Sequence, residues 1–177
     1  MAIKGLDQAI DNLSRVRKNA IPAASAMAIN RVATTAINQS SSQVARETKV
    51  RRKLVKERAR LKRATVKNPQ ARIKVNRGDL PVIKLGIRML GRRPNSILKA
   101  GQHRYQRAFI QRLKNGRWHV MQRVAGKNRY PIDVVKIPMA APLKQAFDEN
   151  VDRIRRERLP KELAYALKQQ LRIAIKR

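Results

Sequence analysis

An α+β fold is expected from three features of this sequence. Apolar residues recur at three- and four-residue steps near both ends, as amphipathic helices require. An Asn115-Gly116 step separates two apolar-rich runs in the middle, the strongest short-range signal of a β-hairpin. Prolines at 69, 138 and 142 mark where one periodicity gives way to the other. The expected order is N-terminal helices, a basic helix, a small antiparallel β-meander and C-terminal helices. At 177 residues the chain is read as one domain over 1–177, helical over 1–67, β-rich over 70–138 with a basic loop at 86–101, and helical over 139–177.

Ile3, Leu6, Ile10 and Leu13 form a stripe with Lys4, Asp7, Asp11 and Arg15 between them, which predicts a first amphipathic helix. Pro22 ends or restarts it, because proline has no N–H for the helical ladder. Ile29, Val32, Ala33, Ala36 and Ile37 then line one side of a second helix, or of a continuation beyond a kink. Alanines at 23, 24, 26 and 28 either permit close approach of another helix or subunit or are helix-favouring filler.

Between Lys49 and Lys67 there are ten basic residues and one acid, Glu57. Val50, Leu54, Leu61 and Ala64 keep a narrow face at helical spacing, so a basic helix docked along one edge is expected. Arg51, Arg52, Lys53, Lys56, Arg58, Arg60, Lys62 and Arg63 are its candidate contacts to phosphate or to an acidic partner. The alternative is a solvated charged face. Against it stands the lack of acidic i,i+4 partners, since like charges at that spacing destabilise a helix.

After Asn68-Pro69, Ile73 and Val75 alternate with Arg72, Lys74 and Asn76 as in a half-exposed strand. Arg77-Gly78-Asp79 turns the chain, and Pro81 to Leu85 suits a second strand with its proline at the start or on an edge. Gly86 to Gly101 reads as an exposed basic loop, with Arg92 and Arg93 as further candidate contacts. Phe109 to Leu113 and Trp118 to Val124 flank Asn115-Gly116, where a type I′ turn places both central residues at positive φ. A second turn at Gly126 to Asn128 leads into Ile132 to Ile137, completing a three-stranded meander. Trp118, Val120, Ile132 and Val134, with Phe109, are its expected core contacts.

Leu143, Phe147, Val151 and Ile154 begin another helical stripe, and Pro160 kinks or restarts it. Leu163, Leu167 and Leu171 follow at four-residue spacing, and Lys176 and Arg177 complement the negative end of the helix dipole. Ile29, Val32, Ala33 and Ala36, with Leu163, Leu167 and Leu171, are candidates for subunit packing.

Lys and Arg number 43 against 11 Asp and Glu, a formal charge of +32. The excess is central: residues 80 to 132 hold 13 basic residues and no acid. A one-signed field of this kind points to a polyanion or an acidic partner. Aromatic residues make up 3% of the chain, which argues against a surface that stacks successive bases of a single strand. A hydrophobic content of 42% argues for a folded chain over a disordered basic tail. Without cysteine there is no disulfide, thiol nucleophile, zinc ribbon or iron–sulfur site. The N-terminus lacks the apolar core of a signal peptide, and no apolar run approaches the ~18 residues of a spanning helix. The expected compartment is the cytoplasm, with no membrane partner.

Catalysis finds little support. His103 and His119 lack the spacing of a metal site and are read as structural. No nucleophile elbow, zincin motif or glycine-rich phosphate loop occurs. Asp148, Glu149 and Asp152 lie among Arg153, Arg155 and Arg156, a pattern that fits helix-surface ion pairs better than a metal site. A non-enzyme with no metal and no cofactor is expected.

Three blocks carry a resemblance: SSQVARETKVRRKLVKER at 41–58, AFIQRLKNGRWHVMQR at 108–123 and YPIDVVKIP at 130–138. They closely resemble the minor tail protein Z family of lambda-like tailed bacteriophages, over nearly the whole chain and least around 86–107. The resemblance implies a virion component that completes the tail at its head-proximal end. There the tail meets the head connector and the DNA end is positioned in the tail channel. It implies tail terminator, tail tube and head-connector proteins as partners, a homo-oligomeric ring such as a hexamer, and assembly in the host cytoplasm. In that setting a lumen-facing belt of Lys and Arg would hold DNA by its phosphates without reading bases. Charge alone favours a different class, a general basic nucleic-acid-binding protein of ribosomal type; an enzyme with an unrecognised site is a third.

Overall fold

Leu6, Ile10 and Leu13 of the N-terminal stripe fall in α1 (Leu6–Arg15), the first element of a computed structural model that describes residues 6–90, 97–123 and 131–175; Ile3 and Lys4, like Lys176 and Arg177, lie outside the described residues. A π-helical turn, Val16–Ala20, follows, in which the Ile21 N–H reaches back to the Val16 carbonyl, and α2 (Ile21–Glu47) continues from it. Pro22 sits in the first turn of α2, where a missing N–H is tolerated, so the helix restarts there as expected. The chain divides into two compact units, each built from separated stretches. Described residues 6–40, 59–75 and 147–175 make the first, and 41–58 with 76–146 make the second.

In the first unit, α2 packs against the C-terminal helix α4 (Ala140–Ile175) through small residues. Ala24 and Ala28 of α2 and Ala166 of α4 are fully buried, surrounded by Met27, Leu159, Leu163 and Leu167. Further along, Val32 and Ala36 meet Ile154, flanked by Val151, Leu159 and Ile73. A buried side chain such as Ile154 contributes about 1.5–3 kcal/mol. The alanine run therefore serves close helix approach within the chain. Pro160 lies inside α4, and the helix runs through it as one element. Its ring and Arg156, whose carbonyl loses its helical donor, are both exposed, so water can satisfy that carbonyl.

The single basic helix expected over 49–67 does not form. The chain turns at Thr48 and Lys49, makes one short helix α3 (Arg52–Lys56), and enters a strand β1 (Ala59–Lys62). β1 pairs antiparallel with β2 (Arg72–Val75), matching Ala59 with Val75, Arg60 with Lys74, Leu61 with Ile73 and Lys62 with Arg72. The segment 59–62 has period two as well as helical spacing, and the non-local partner decides between them. Asn30 of α2 fastens the end of this ribbon: its Nδ2 donates to the Ala64 carbonyl at 2.9 Å and its Oδ1 accepts from the Ala64 N–H at 2.8 Å.

The second unit holds the other strands. β3 (Leu80–Pro81) pairs with β10 (Lys136–Ile137); β4 (Ile87–Leu90), β5 (Ile97–Ala100) and β6 (His103–Gln106) form one antiparallel sheet. β7 (Ala108–Arg112), β8 (Trp118–Arg123) and β9 (Ile132–Val134) form the expected meander. Leu85, Leu98, Met139 and Leu143 are the largest fully buried side chains of this unit, with Val44, Val55, Val82 and Val120 also fully buried.

Four local expectations are corrected in this unit. The loop expected at 86–101 contains β4 and β5, because Ile87 and Leu98 join a three-stranded sheet; Arg92 and Arg93 lie outside the described residues, as does the turn at Gly126 to Asn128. The strand expected at 81–85 is two residues long and passes into a 3-10 turn, Val82–Leu85, that ends at Gly86 with φ +78°. At the hairpin, Gly116 N–H donates to the Leu113 carbonyl and Leu113 N–H to the Arg117 carbonyl, both at 2.9 Å. Among the described non-glycine residues only Lys49 and Arg107 have positive φ, so Asn115 does not. The connection is thus a three-residue loop with Gly116 (φ +73°) alone in the left-handed region, rather than a type I′ turn. Val120 is buried, whereas Trp118 is 57% exposed, since it stands at the turn end of the hairpin, beside the loop and beyond the core.

Candidate functional site

The β1–β2 ribbon has one face toward the helices and one toward solvent. Leu61 and Ile73 are half-buried, and Ile73 packs on the cluster of Val32, Ala36 and Ile154. The alternation of a strand then forces Arg60, Lys62, Arg72 and Lys74 onto the opposite face, and all four are exposed. The register sets Arg60 directly across from Lys74 and Lys62 across from Arg72. Directly opposed residues stand about 5 Å apart at Cβ, and neighbours along a strand about 7 Å, so the face is a square of four cations.

Like charges directly opposite one another destabilise a sheet. No relief comes from the described residues: none of the four side chains makes a hydrogen bond or ion pair with them, and no acid occurs from 58 to 78. The geometry suits a row of anions spaced like phosphates along a strand. Arg63, next along the chain, is also exposed and lines a cavity of about 620 Å³ with Asn30, Thr34 and Glu162. In that cavity Arg31 pairs with Glu162 at 3.4 Å and lies over the Tyr165 ring at 4.9 Å.

The other predicted contacts belong to the second unit. Lys49 closes α2 in the left-handed region, φ +52°, while the Thr48 N–H returns to the Val44 carbonyl at 2.8 Å. This turn gathers Arg46, Lys49, Arg51 and Arg52 around a cavity of about 630 Å³, with Leu85 and Gly101 on its wall. Lys53 and Lys56 are exposed on α3. Arg58 plays a different part. Its guanidinium donates to the carbonyls of Asn76 and Asp79, each at 3.1 Å, and closely to that of Gly78, so it locks the turn that leads into β3. Burial lowers its pKa, and the charge of Asp79 opposes that shift. A side chain held in this way has little left to offer a phosphate.

The residues set aside for subunit packing are largely occupied within the chain. Val32, Ala33 and Ala36 are buried, Leu163 and Leu167 pack around Ala166, and Ile29 and Leu171 are half-buried. The apolar side chains left outside in the first unit are others: Ile10, Leu13, Ile21, Val66 and Ile173. His103 is structural, its Nε2–H donating to the Thr48 carbonyl at 3.0 Å. Among the described residues no group of three acidic or histidine side chains could hold a metal ion, and no helix is long and apolar enough to cross a membrane. Arg72 and Lys74 were not legible as site residues; the signal that could have found them is the shared period of two at 59–62 and 72–75.

Comparison with known proteins adds an independent line. The family model described as prophage minor tail protein Z matches residues 3–177. The chain is 71% identical to the tail completion protein Z of Escherichia phage lambda, over the whole of both chains. It is 52% identical to the tail completion protein of Escherichia phage N15, again over the whole of both. No solved structure matches it.

Proposed function

This chain belongs to the prophage minor tail protein Z family and is a bacteriophage tail protein, and from that premise we propose that it completes the tail at its head-proximal end. In this reading it helps form the tail-to-head junction and positions the DNA end in the tail channel. Its neighbours are the tail terminator, tail tube and head-connector proteins, and its copies form a ring such as a hexamer. The apolar side chains left exposed, Ile10 and Leu13 of α1 among them, are the surfaces we assign to contacts between copies or with those neighbours.

The observation that supports DNA contact is the square of Arg60, Lys62, Arg72 and Lys74. Its charges oppose one another across the ribbon without a counter-ion among the described residues, so the isolated subunit bears a repulsion that a phosphate backbone would remove. Contacts of this kind hold and orient DNA but read no sequence. A ring repeats the square in each copy, and the summed charge makes assembly depend on DNA or acidic neighbours.

The test is the salt dependence of duplex binding by the full chain and by a variant carrying Arg60→Gln, Lys62→Gln, Arg72→Gln and Lys74→Gln. Each phosphate contact contributes about 0.9 to the slope of log affinity against log salt, so the variant should lose about 3 to 4 of that slope. Equal slopes would remove the ribbon from DNA and leave an acidic tail or connector protein as what it meets. Cryo-electron microscopy of the intact junction locates the ribbon relative to the channel.

A further inference from the structure

We infer that the β7–β8 hairpin carries a nucleobase-stacking site, in which Trp118 lies on one terminal or unpaired base of DNA while the cations of the turn hold the adjoining phosphates. The inference rests on the DNA-facing reading above but on different residues of the chain. Trp118 is the sole tryptophan of the sequence and is 57% exposed. The register pairs Arg112 with Trp118 and Ile110 with Val120, so Ile110, Arg112 and Trp118 share one sheet face, and Ile110 is itself 40% exposed. Val120, the next residue of β8 on that face, is buried, so the indole is the exposed end of a face that is otherwise core, with the cation of Arg112 directly across from it.

The turn beside it is stiff and cationic. Arg112 Nε donates to the Gly116 carbonyl at 3.0 Å, the Arg117 N–H donates to Asn115 Oδ1 at 3.0 Å, and Gly116 takes the left-handed conformation the loop needs. Lys114 and Arg117 are exposed on it. The whole hairpin lies in the stretch from 80 to 132 that contains no acid. Cations alone would suit any polyanion; the exposed indole adds a demand for a partner with a flat π face next to its charges. In duplex DNA every base face is covered by its neighbours except at an end or at an unpaired nucleotide. A single ring stacks a single base, which agrees with an aromatic content too low for a platform along a strand.

Because Trp118 is the sole tryptophan, the emission of the full-length protein reads this site alone. The probes are a single-stranded oligonucleotide, a blunt linear duplex, a covalently closed circular duplex and inorganic polyphosphate, with binding followed separately by filter retention. The expected result is quenching by the first two, and binding without quenching by the last two. Trp118→Ala should lose roughly five- to hundredfold in affinity for the oligonucleotide and nothing for the circle, and Trp118→Phe should keep part of the difference. Equal quenching by polyphosphate, or an unchanged affinity of Trp118→Ala for the oligonucleotide, would overturn the inference. So would an emission change produced by polyglutamate and by no nucleic acid, which would make the hairpin a protein-docking surface. If no form of DNA binds, the DNA-facing function fails together with this site; if DNA binds and the emission is silent, the stacking site alone fails.

Discussion

Asn30 holds Ala64 by both ends of its amide, donating at 2.9 Å to the carbonyl and accepting at 2.8 Å from the N–H of the same residue. One side chain on α2 thus continues the hydrogen-bonding pattern of a strand at the exit of β1. The four-cation face is aimed by this clamp and by the packing of Ile73 beneath the ribbon.

Replacing Asn30 by Ala removes both bonds and leaves the Ala64 groups to find water. A destabilisation of about 1–3 kcal/mol is expected, read by chemical denaturation. Hydrogen exchange should rise over 59–75 more than over α4. Exchange that rises evenly throughout would mean that the clamp does not hold the ribbon in particular.

Charge reversal at Arg60 should act in opposite directions on stability and binding. Arg60→Glu places a carboxylate across from Lys74 and turns a repulsive pair into an attractive one, so the isolated protein should gain about 0.2–1 kcal/mol. Its DNA affinity at low salt should fall. A variant that melts lower, or binds DNA as tightly as the parent, would count against an unrelieved square facing phosphate.

Arg58 should behave as a structural residue, in contrast to its neighbours. Arg58→Lys keeps the charge but cannot reproduce a planar fork of donors to the carbonyls of Asn76, Gly78 and Asp79. Thermal denaturation should show a loss of about 1–2 kcal/mol, with the salt slope of DNA binding unchanged. Lys53→Gln and Lys56→Gln, at exposed sites on α3, should leave stability within about 0.5 kcal/mol of the parent.

Ala28 tests why α2 is rich in alanine. It is fully buried against Ala166, so Ala28→Leu should overpack the helix contact and cost about 1–3 kcal/mol, measured by urea denaturation. Were the alanines mere helix-favouring filler, the substitution would be close to neutral.

The helices at both ends, the hairpin at Asn115-Gly116 and the meander built on it were legible because each rests on residues close together in sequence. Helical spacing at Leu163 and Leu167 or turn chemistry at Gly116 is a local property, and packing reinforced it. A single helix over 49–67 does not form because the spacing at 59–62 satisfies two periods at once. Its partner strand begins ten residues after β1 ends, and nothing local announces the pairing. The turn type at 113–117 was missed for a smaller reason: Asn115-Gly116 fits two hairpin connections, and only the backbone angles separate them.

Composition and local pattern settle that this is an α+β protein with a large unneutralised positive charge and an acid-free centre, since these depend only on which residues are present and how they alternate. Folding settles what each cation does. Arg58 is drawn to three carbonyls some twenty residues away, Arg31 to Glu162, and Arg60 and Lys62 are set against Arg72 and Lys74 with no acid paired to them among the described residues. Charge is a property of the chain, but whether a charge is paired, locked or left facing water depends on neighbours distant in sequence, and those are chosen by the burial of Leu61, Ile73, Ile154 and the alanines of α2.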